Sequence, residues 1–432
     1  MRELTLAGPD CVAHVGAMAK EHLSPVDAAW LRMDSEANPM VITAMLQLDG
    51  PLDHTGEKDL VDRLLAHPRF HRRPVGPALG VGTWHWEDAP KFDPESHVHR
   101  IALPAPGDDA ALASLVSDLM STKLDHARPL WQLHIVELPK GTALIVRVHH
   151  AMGDGVALVS LLLAITGIDI KPEEVGLLAG TPVTNAAELA RRSGEQALAL
   201  GKLLLLPGDA PTPLKGTQSS RKRAAWSKAY PLDAIKSAAH GLDAKANDLL
   251  LASVTAGLRA YLDHRDAMRD GLEVHAIVPV FFRGAEGLGN HFGLVFAALP
   301  LGSSDPHDRV RAVKLRMDRI KATPEAQVAF AILAATGVAS AEIESIVIDI
   351  FSRKASVMVT NIPGPPVPLV MAGQNLERIL VWAPTAGHVA LGISLLSYAG
   401  AMHLTVAADA ALVPDPERIV AGFERDLDAL LG

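Results

Sequence analysis

A single cysteine, Cys11, stands in the 432 residues of this chain. That excludes a disulfide framework and any cysteine-based zinc site, and it fits a reducing compartment. No motif surrounds Cys11, so an inert thiol is expected there. Positive charge is also short: 40 Lys and Arg against 49 Asp and Glu leave a net charge of −9, which removes any general nucleic-acid footprint. Aromatic residues make up only 4%, so ordinary core filling, ahead of lining a channel, is the expectation for Trp131, Trp84, Trp86 and Trp382. The most apolar stretches, Val156–Ile170 and Leu198–Leu206, are too short or too interrupted to span a bilayer. Residues 1–20 lack the basic start and apolar run of a signal peptide. A cytoplasmic protein is therefore expected, with peripheral contact the most it would make with a membrane. No Gly-x-Ser-x-Gly elbow of a serine hydrolase occurs, and Gly287–Gly293 lacks the spacing of a dinucleotide-binding fingerprint.

What is present is apolar. Hydrophobic residues reach 49% against 21% charged, and mean hydropathy is +0.19. This is ample for a large core and hints at further apolar surface that meets lipid. The length predicts two domains or one two-lobed unit. Residues 1–22 read as a flexible N-terminal segment, 23–170 as a first lobe, 171–228 as a linker and 229–432 as a second lobe. The linker carries several prolines and glycines and the basic residues Lys215, Arg221, Lys222, Arg223 and Lys228. A solvated linker is the simpler reading of that charge, contact with anionic headgroups or a nucleotide phosphate the sharper one.

Along the first lobe, Ser24 followed by Pro25 reads as a helix start. Val41–Leu48, Trp131–Glu137 and Ala143–His149 read as strands, with Pro139-Lys140-Gly141 as the turn between the last two. Gly155–Ile165 reads as a buried helix. In the second lobe Leu232–His240, Asn247–Asp263 and Pro416–Leu431 are helical in pattern. Val274–Phe282, Leu294–Leu301, Ala355–Asn361, His388–Ser397 and Met402–Ala408 read as strands. Both lobes mix helix and strand without strict βαβ alternation, so the class is α/β of the mixed α+β kind.

The chemistry points to His149-His150-Ala151-Met152-Gly153-Asp154-Gly155. Moving an acyl group from a thioester to an alcohol requires a base for the hydroxyl proton and a donor for the developing oxyanion, and a neutral histidine suits the first need. A strand end feeding a glycine-bearing turn can present such a side chain at a cavity edge, with Gly153 and Gly155 permitting close backbone approach or positive φ. Adjacent strand histidines face opposite ways, so one of the pair would meet substrate. The plainer alternative makes Asp154 the cap of the following helix and His149 a core histidine. A metal site is disfavoured, because the two histidines diverge and no third ligand is apparent. Asn361 or Thr360, before the stiff Pro363-Gly364-Pro365-Pro366 loop, either approaches the oxyanion or caps a turn. Asn247 reads most simply as a helix cap.

His-His-x-x-x-Asp-Gly after an apolar strand resembles the superfamily of chloramphenicol acetyltransferase, carnitine acyltransferases and peptide-synthetase condensation domains. More narrowly, the chain resembles the bacterial wax ester synthase/diacylglycerol acyltransferase family. The resemblance rests on Ser24-Pro25-Val26-Asp27, Asn38-Pro39-Met40, Pro129-Leu130-Trp131, Asn247-Asp248, Asn361-Ile362-Pro363-Gly364-Pro365 and Ser397-Tyr398-Ala399-Gly400. These occur in the expected order across residues 23 to 430. It implies two chloramphenicol-acetyltransferase-like lobes with a central substrate channel. It implies His150 as general base, His149 in support, and Asp154 shaping the site with an arginine partner, for which Arg283 and Arg32 are candidates. Gly155, Thr360, Asn361, Asn247, Asp248 and Trp131 are the expected substrate-binding set. Thr360 departs from the serine common at its position. The implied substrates are acyl-CoA with diacylglycerol or a fatty alcohol, with no cofactor and no metal, at a site that a membrane or lipid-droplet surface could reach. Amide formation of the condensation type and non-catalytic lipid binding are the alternatives. No carrier-type Gly-Gly-x-Ser segment accompanies the chain, which weighs against the first, and intact His150 and Asp154 weigh against the second.

Overall fold

The computed structural model describes residues 21–77, 83–166, 181–182, 200–283, 290 and 292–432. Cys11, residues 171–180 and 183–199 of the expected linker and most of the Gly287–Gly293 run lie outside the described residues. The first helix, Pro25–Met33, begins as its sequence requires: Ser24 Oγ accepts the Asp27 N–H at 3.0 Å, and Pro25 fills the first turn where no N–H is needed. The strands Val41–Leu48 and Trp131–Glu137 and the helix Gly155–Ile165 fall where the hydrophobic pattern puts them. The turn into Thr142–His149 depends on Gly141 at φ +80°, where an added Cβ would lie 1.9 Å from the Leu48 carbonyl oxygen.

Two mixed sheets carry the fold. The first runs Val370–Met371, Gln374–Trp382, Val41–Leu48, Thr142–His149, Trp131–Glu137, Val98–Ala102. The second runs Tyr230–Pro231, Ala401–Asp409, Leu391–Tyr398, Val357–Pro363, Val274–Arg283, Phe292–Leu299, with Lys222–Trp226 also paired to Ala401–Asp409. Gln374–Trp382 therefore crosses from the second half of the chain and pairs antiparallel with Val41–Leu48 in the first sheet. Its polar opening, Gln374-Asn375 and Glu377-Arg378, hides it in the sequence. The Tyr398 hydroxyl pins the crossover by accepting the Leu369 N–H at 2.7 Å and donating to the Leu376 carbonyl at 3.0 Å.

The lobes are consequently interlocked. The core around Trp30, Leu46, Trp131 and Leu162 takes in Ile362, Leu369, Ile379 and Leu396 from the second half. A separate core around Leu250, Val274, Leu299 and Phe423 belongs to the second sheet and the helices Ala246–His264 and Glu417–Leu431. Residues 222–226, grouped with the linker by composition, are a strand. The helices Pro306–Lys321, Glu325–Val338 and Ala341–Ser352 complete the second half. Among the described residues, no helix is long and apolar enough to cross a membrane.

Candidate active site

The histidine motif sits where the two sheets meet. Thr142–His149 ends at His149, and a single 3₁₀ turn, His150–Met152, leads to Asp154 and the buried helix Gly155–Ile165. Asp154 caps that helix, its Oδ1 accepting the Ala157 N–H at 3.0 Å. The cap fixes the turn that carries the histidines.

The two rings diverge. His150 lines a cavity of about 470 Å³ together with Trp30, Asp154, Gly155, Phe292 and Thr360. Its backbone is held on both sides: its N–H donates to the Met40 carbonyl at 2.8 Å, and its carbonyl accepts from the Asn290 amide at 2.8 Å. The Trp30 indole stacks on the imidazole with centroids 4.1 Å apart and planes 17° apart. Burial pushes the His150 pKa down to about 4, against smaller opposing contributions from its own backbone and the Asn290 side chain. The ring is therefore neutral at ordinary pH, the state a proton acceptor needs.

His149 points the other way and is fully buried. Its Nδ1 accepts the Ala151 N–H at 3.1 Å, so the neutral ring carries its proton on Nε2, which lies 4.0 Å from Asp34 Oδ2. The same Asp34 oxygen is 3.0 Å from His126 Nε2 and 3.2 Å from Lys123 Nζ, and Asp34 Oδ1 accepts the Met40 N–H at 2.8 Å. Burial opposes ionisation of Asp34, but His126, the Met40 N–H, His149 and Lys123 outweigh it and hold the carboxyl below its usual range. Burial likewise pushes His149 down to about 3.

The fold thus supplies the third ligand that was not apparent in sequence: ligating atoms of Asp34, His126 and His149 lie within 4.8 Å of one another. The donor chemistry does not suit a cation. A ligating histidine ordinarily donates from its other nitrogen, whereas His149 Nδ1 accepts from Ala151. Metal on Nε2 would require loss of that hydrogen bond or a second deprotonation, and Lys123 already places a cation beside Asp34. The cluster ties the motif to the segment leading into Met40.

Behind the cavity lies a second, larger space of about 800 Å³ lined by aliphatic side chains, including Leu60, Leu64, Leu158, Leu161 and Ile165, and by Gly155. The two spaces share Ile42, Gly155, Ile362 and Val381. Gly155 packs closely here: an added Cβ would lie 2.9 Å from Ile362 Cδ1, so that side chain would have to shift. Neither Gly155 nor Gly153 adopts the left-handed backbone.

The remaining predicted residues divide. Thr360 reaches the cavity, as do Met358 and Ile362 two positions either side of it on the strand Val357–Pro363. Asn361, one step out of that period, instead donates from Nδ2 to Asn247 Oδ1 at 3.1 Å. Asn247 is not the cap of Ala246–His264. The cap position is Lys245, whose N–H donates to the Asp248 side chain at 3.1 Å. Asn361 and Asn247 are thus brought together while Asp248 caps the helix start, and none of the three lines either space. Trp131 belongs to the core: it is fully buried, donates from Nε1 to the Phe70 carbonyl at 2.8 Å, and packs against His97. Arg32 is committed to Glu344 and to the Thr336 carbonyl, the latter at 3.0 Å. The Arg283 side chain lies outside the described residues. Sequence reasoning missed Trp30, Asp34, His126 and Asn290. Trp30 and Asp34 stand between Ser24–Asp27 and Asn38–Met40, so the bracketing signatures were the available signal.

Comparison with known proteins agrees with this geometry. Residues 23–206 match the wax ester synthase/diacylglycerol acyltransferase catalytic domain, and residues 288–431 match the WS/DGAT C-terminal domain. A probable diacylglycerol O-acyltransferase of Mycobacterium tuberculosis is 27% identical, over 93% of this chain and 94% of its own. The fold is that of the wax ester synthase/diacylglycerol acyltransferase from Marinobacter aquaeolei VT8, with a TM-score of 0.69 at 22% identity over 95% of this chain and 98% of that one. It is shared with the first condensation domain of the CDA synthetase, with a TM-score of 0.64 at 17% identity over 96% of each chain. The two matched domains, the paired sheets and the histidine-lined cavity between them make this chain an acyltransferase of the wax ester synthase/diacylglycerol acyltransferase family.

Proposed function

We propose that this acyltransferase joins a long-chain acyl group from acyl-CoA to diacylglycerol or a long-chain fatty alcohol, with His150 as general base. The observation that carries the reading is the aliphatic chamber that shares Ile42, Gly155, Ile362 and Val381 with the cavity His150 lines. A chain threaded into that chamber leaves its thioester or hydroxyl end beside the imidazole. Each buried methylene contributes about 0.8 kcal/mol, roughly a fourfold preference, so the chamber favours long chains strongly. His150 takes the hydroxyl proton as the alcohol oxygen attacks the thioester carbonyl, and the proton then leaves with the CoA thiolate. Thr360 Oγ1 is the side-chain hydroxyl among the cavity-lining residues and serves as a donor for the oxyanion. No cofactor or metal enters this scheme. A membrane or lipid-droplet surface would supply the lipid acceptor.

The test offers labelled palmitoyl-CoA with dipalmitoylglycerol, hexadecanol or hexadecylamine and identifies the product. Ester with either alcohol supports the reading. Amide as the main product would transfer the site to condensation-type chemistry, and labelled lipid bound without turnover would make the chain a lipid carrier.

A further inference from the structure

The His150 ring is fixed by more than the stacked Trp30. Asn290, 2% exposed, donates from its one amide nitrogen twice: to Asp27 Oδ1 at 2.7 Å and to the His150 carbonyl at 2.8 Å. Both amide hydrogens are thereby used, and the oxygen and nitrogen of the amide cannot exchange places without losing two bonds. Asn290 Oδ1 is buried without another partner, and so is Nδ1 of His150. The two atoms do not meet hydrogen-bond geometry with each other, but they belong to residues already joined by a 2.8 Å bond, and the Asn290 side chain, after the residue's own backbone, favours the protonated ring. Asp27 and Trp30 sit on the same helix, Pro25–Met33, so one element sets both the plane of the imidazole and the orientation of the amide.

We propose that Asn290, aimed by Asp27, is a positioning residue that sets the tautomer of His150. Its amide oxygen accepts the Nδ1 proton, and Nε2 is left as the lone pair that meets substrate. The arrangement does for a buried amide what a carboxylate does for the histidine of a catalytic triad, without bringing negative charge against the ring. This inference rests on His150 being the base, and it goes beyond that reading by naming what makes the base competent. The sequence offered only Gly-Asn-His-Phe-Gly in a segment that resembled no functional motif.

Two measurements on the full chain test it. The first is steady-state turnover of palmitoyl-CoA and dipalmitoylglycerol by Asn290→Ala, Asp27→Asn and His150→Ala. The second is nitrogen-detected NMR of ¹⁵N-histidine-labelled protein, with the His150 signals assigned by their loss in His150→Gln. Asn290→Ala should lower kcat by at least about tenfold, with roughly 10⁴-fold as the ceiling for a tautomer-fixing partner, and leave KM for palmitoyl-CoA within about twofold. Its His150 signals should change from the pure Nδ1–H form to a mixture of tautomers. Asp27→Asn keeps an acceptor for the Asn290 amide, so it should retain most of the turnover and most of the Nδ1–H signal. If Asn290→Ala does not fold, Asn290→Asp keeps an acceptor oxygen and should hold the Nδ1–H tautomer, and the tautomer of the native protein decides: Nδ1–H supports the proposal and Nε2–H overturns it. Unchanged His150 signals in folded Asn290→Ala, or an Nε2–H tautomer in the native protein, would overturn the proposal. Full turnover by His150→Ala would instead remove the base while leaving the tautomer result readable, so the two failures are distinct.

Discussion

His149 and His150 are adjacent, identical in chemistry and both driven to low pKa by burial, yet they face two different environments. On one side the imidazole looks into a cavity joined to an aliphatic chamber and is braced by Trp30, Met40 and Asn290. On the other it is sealed among Asp34, His126 and Lys123 and accepts a backbone N–H from its own turn. The first environment leaves a nitrogen available to substrate. The second uses Nδ1 to hold the turn in place and leaves Nε2 facing Asp34 at 4.0 Å. With His150 as the proposed base, the motif couples it to its own anchor, and the one-residue offset at a strand end is what separates them.

The sharpest way to break this contrast is to remove the ring on the open side. His150→Ala should lower turnover by roughly 10²- to 10⁴-fold while the thermal unfolding transition moves little, since the ring fills a site bordered by open cavity. Enzymatic assay and circular dichroism on the same sample check it. Near-normal turnover would reassign the base. The next effect is on the chamber. Gly155→Val puts a branched side chain against Ile362, which a Cβ alone would already approach to 2.9 Å. Relative kcat/KM for palmitoyl-CoA over butyryl-CoA should fall at least about tenfold, because the methylenes beyond the junction no longer reach apolar surroundings. An unchanged chain-length preference would place the acyl chain elsewhere.

The anchoring side predicts a different pattern. His149→Ala leaves Asp34 without one of its neighbours, empties a fully buried site and frees the Ala151 N–H. A stability loss of about 2–4 kcal/mol is expected from the cavity and the orphaned groups together. Turnover should fall only about tenfold, through a less well-held His150. Urea unfolding beside kinetics separates the two effects. A variant as inactive as His150→Ala but fully stable would mean that His149, too, meets substrate.

The part of this contrast that was legible in sequence is the local part. The strand Val41–Leu48, the strand ending at His149 and the helix from Gly155 follow from hydrophobic period and capping chemistry, and the divergence of the two rings follows from strand geometry. The α/β class with two acyltransferase lobes followed from the ordered motifs. What was not legible depends on long-range pairing. Gln374–Trp382 gains its place from a neighbour more than 300 residues away in the chain, at Val41–Leu48, so its polar first half carries no local signal. Asp34 and His126 become significant only when the turn before Met40 and the loop before Trp131 are folded against His149. Asn361 shows the opposite error: its motif position suggested the cavity, but the two-residue period of its strand gives that place to Thr360.

The finest test uses pH, because burial lowers the proton affinity of both histidines but the consequence is read through different observables. The folded pKa of His149 is about 3 and that of His150 about 4, both below the roughly 6.5 of an exposed imidazole. As pH falls below about 6.5 the unfolded chain takes up protons that the folded protein refuses, so stability is full above that value and is lost progressively as pH drops toward about 4 and then 3. A tenfold difference in proton affinity between the folded and unfolded chain is worth about 1.4 kcal/mol, which makes the combined loss several kcal/mol by about pH 4. Turnover follows only the open side: kcat/KM should change less than about twofold between about pH 8 and pH 6 and decline only as His150 itself begins to protonate. His149→Gln should shallow the acid dependence of stability while leaving the acid limb of activity where it was. If that substitution moved the activity limb instead, the proton that limits turnover would sit on the sealed side, and the division of labour between the two rings would be reversed.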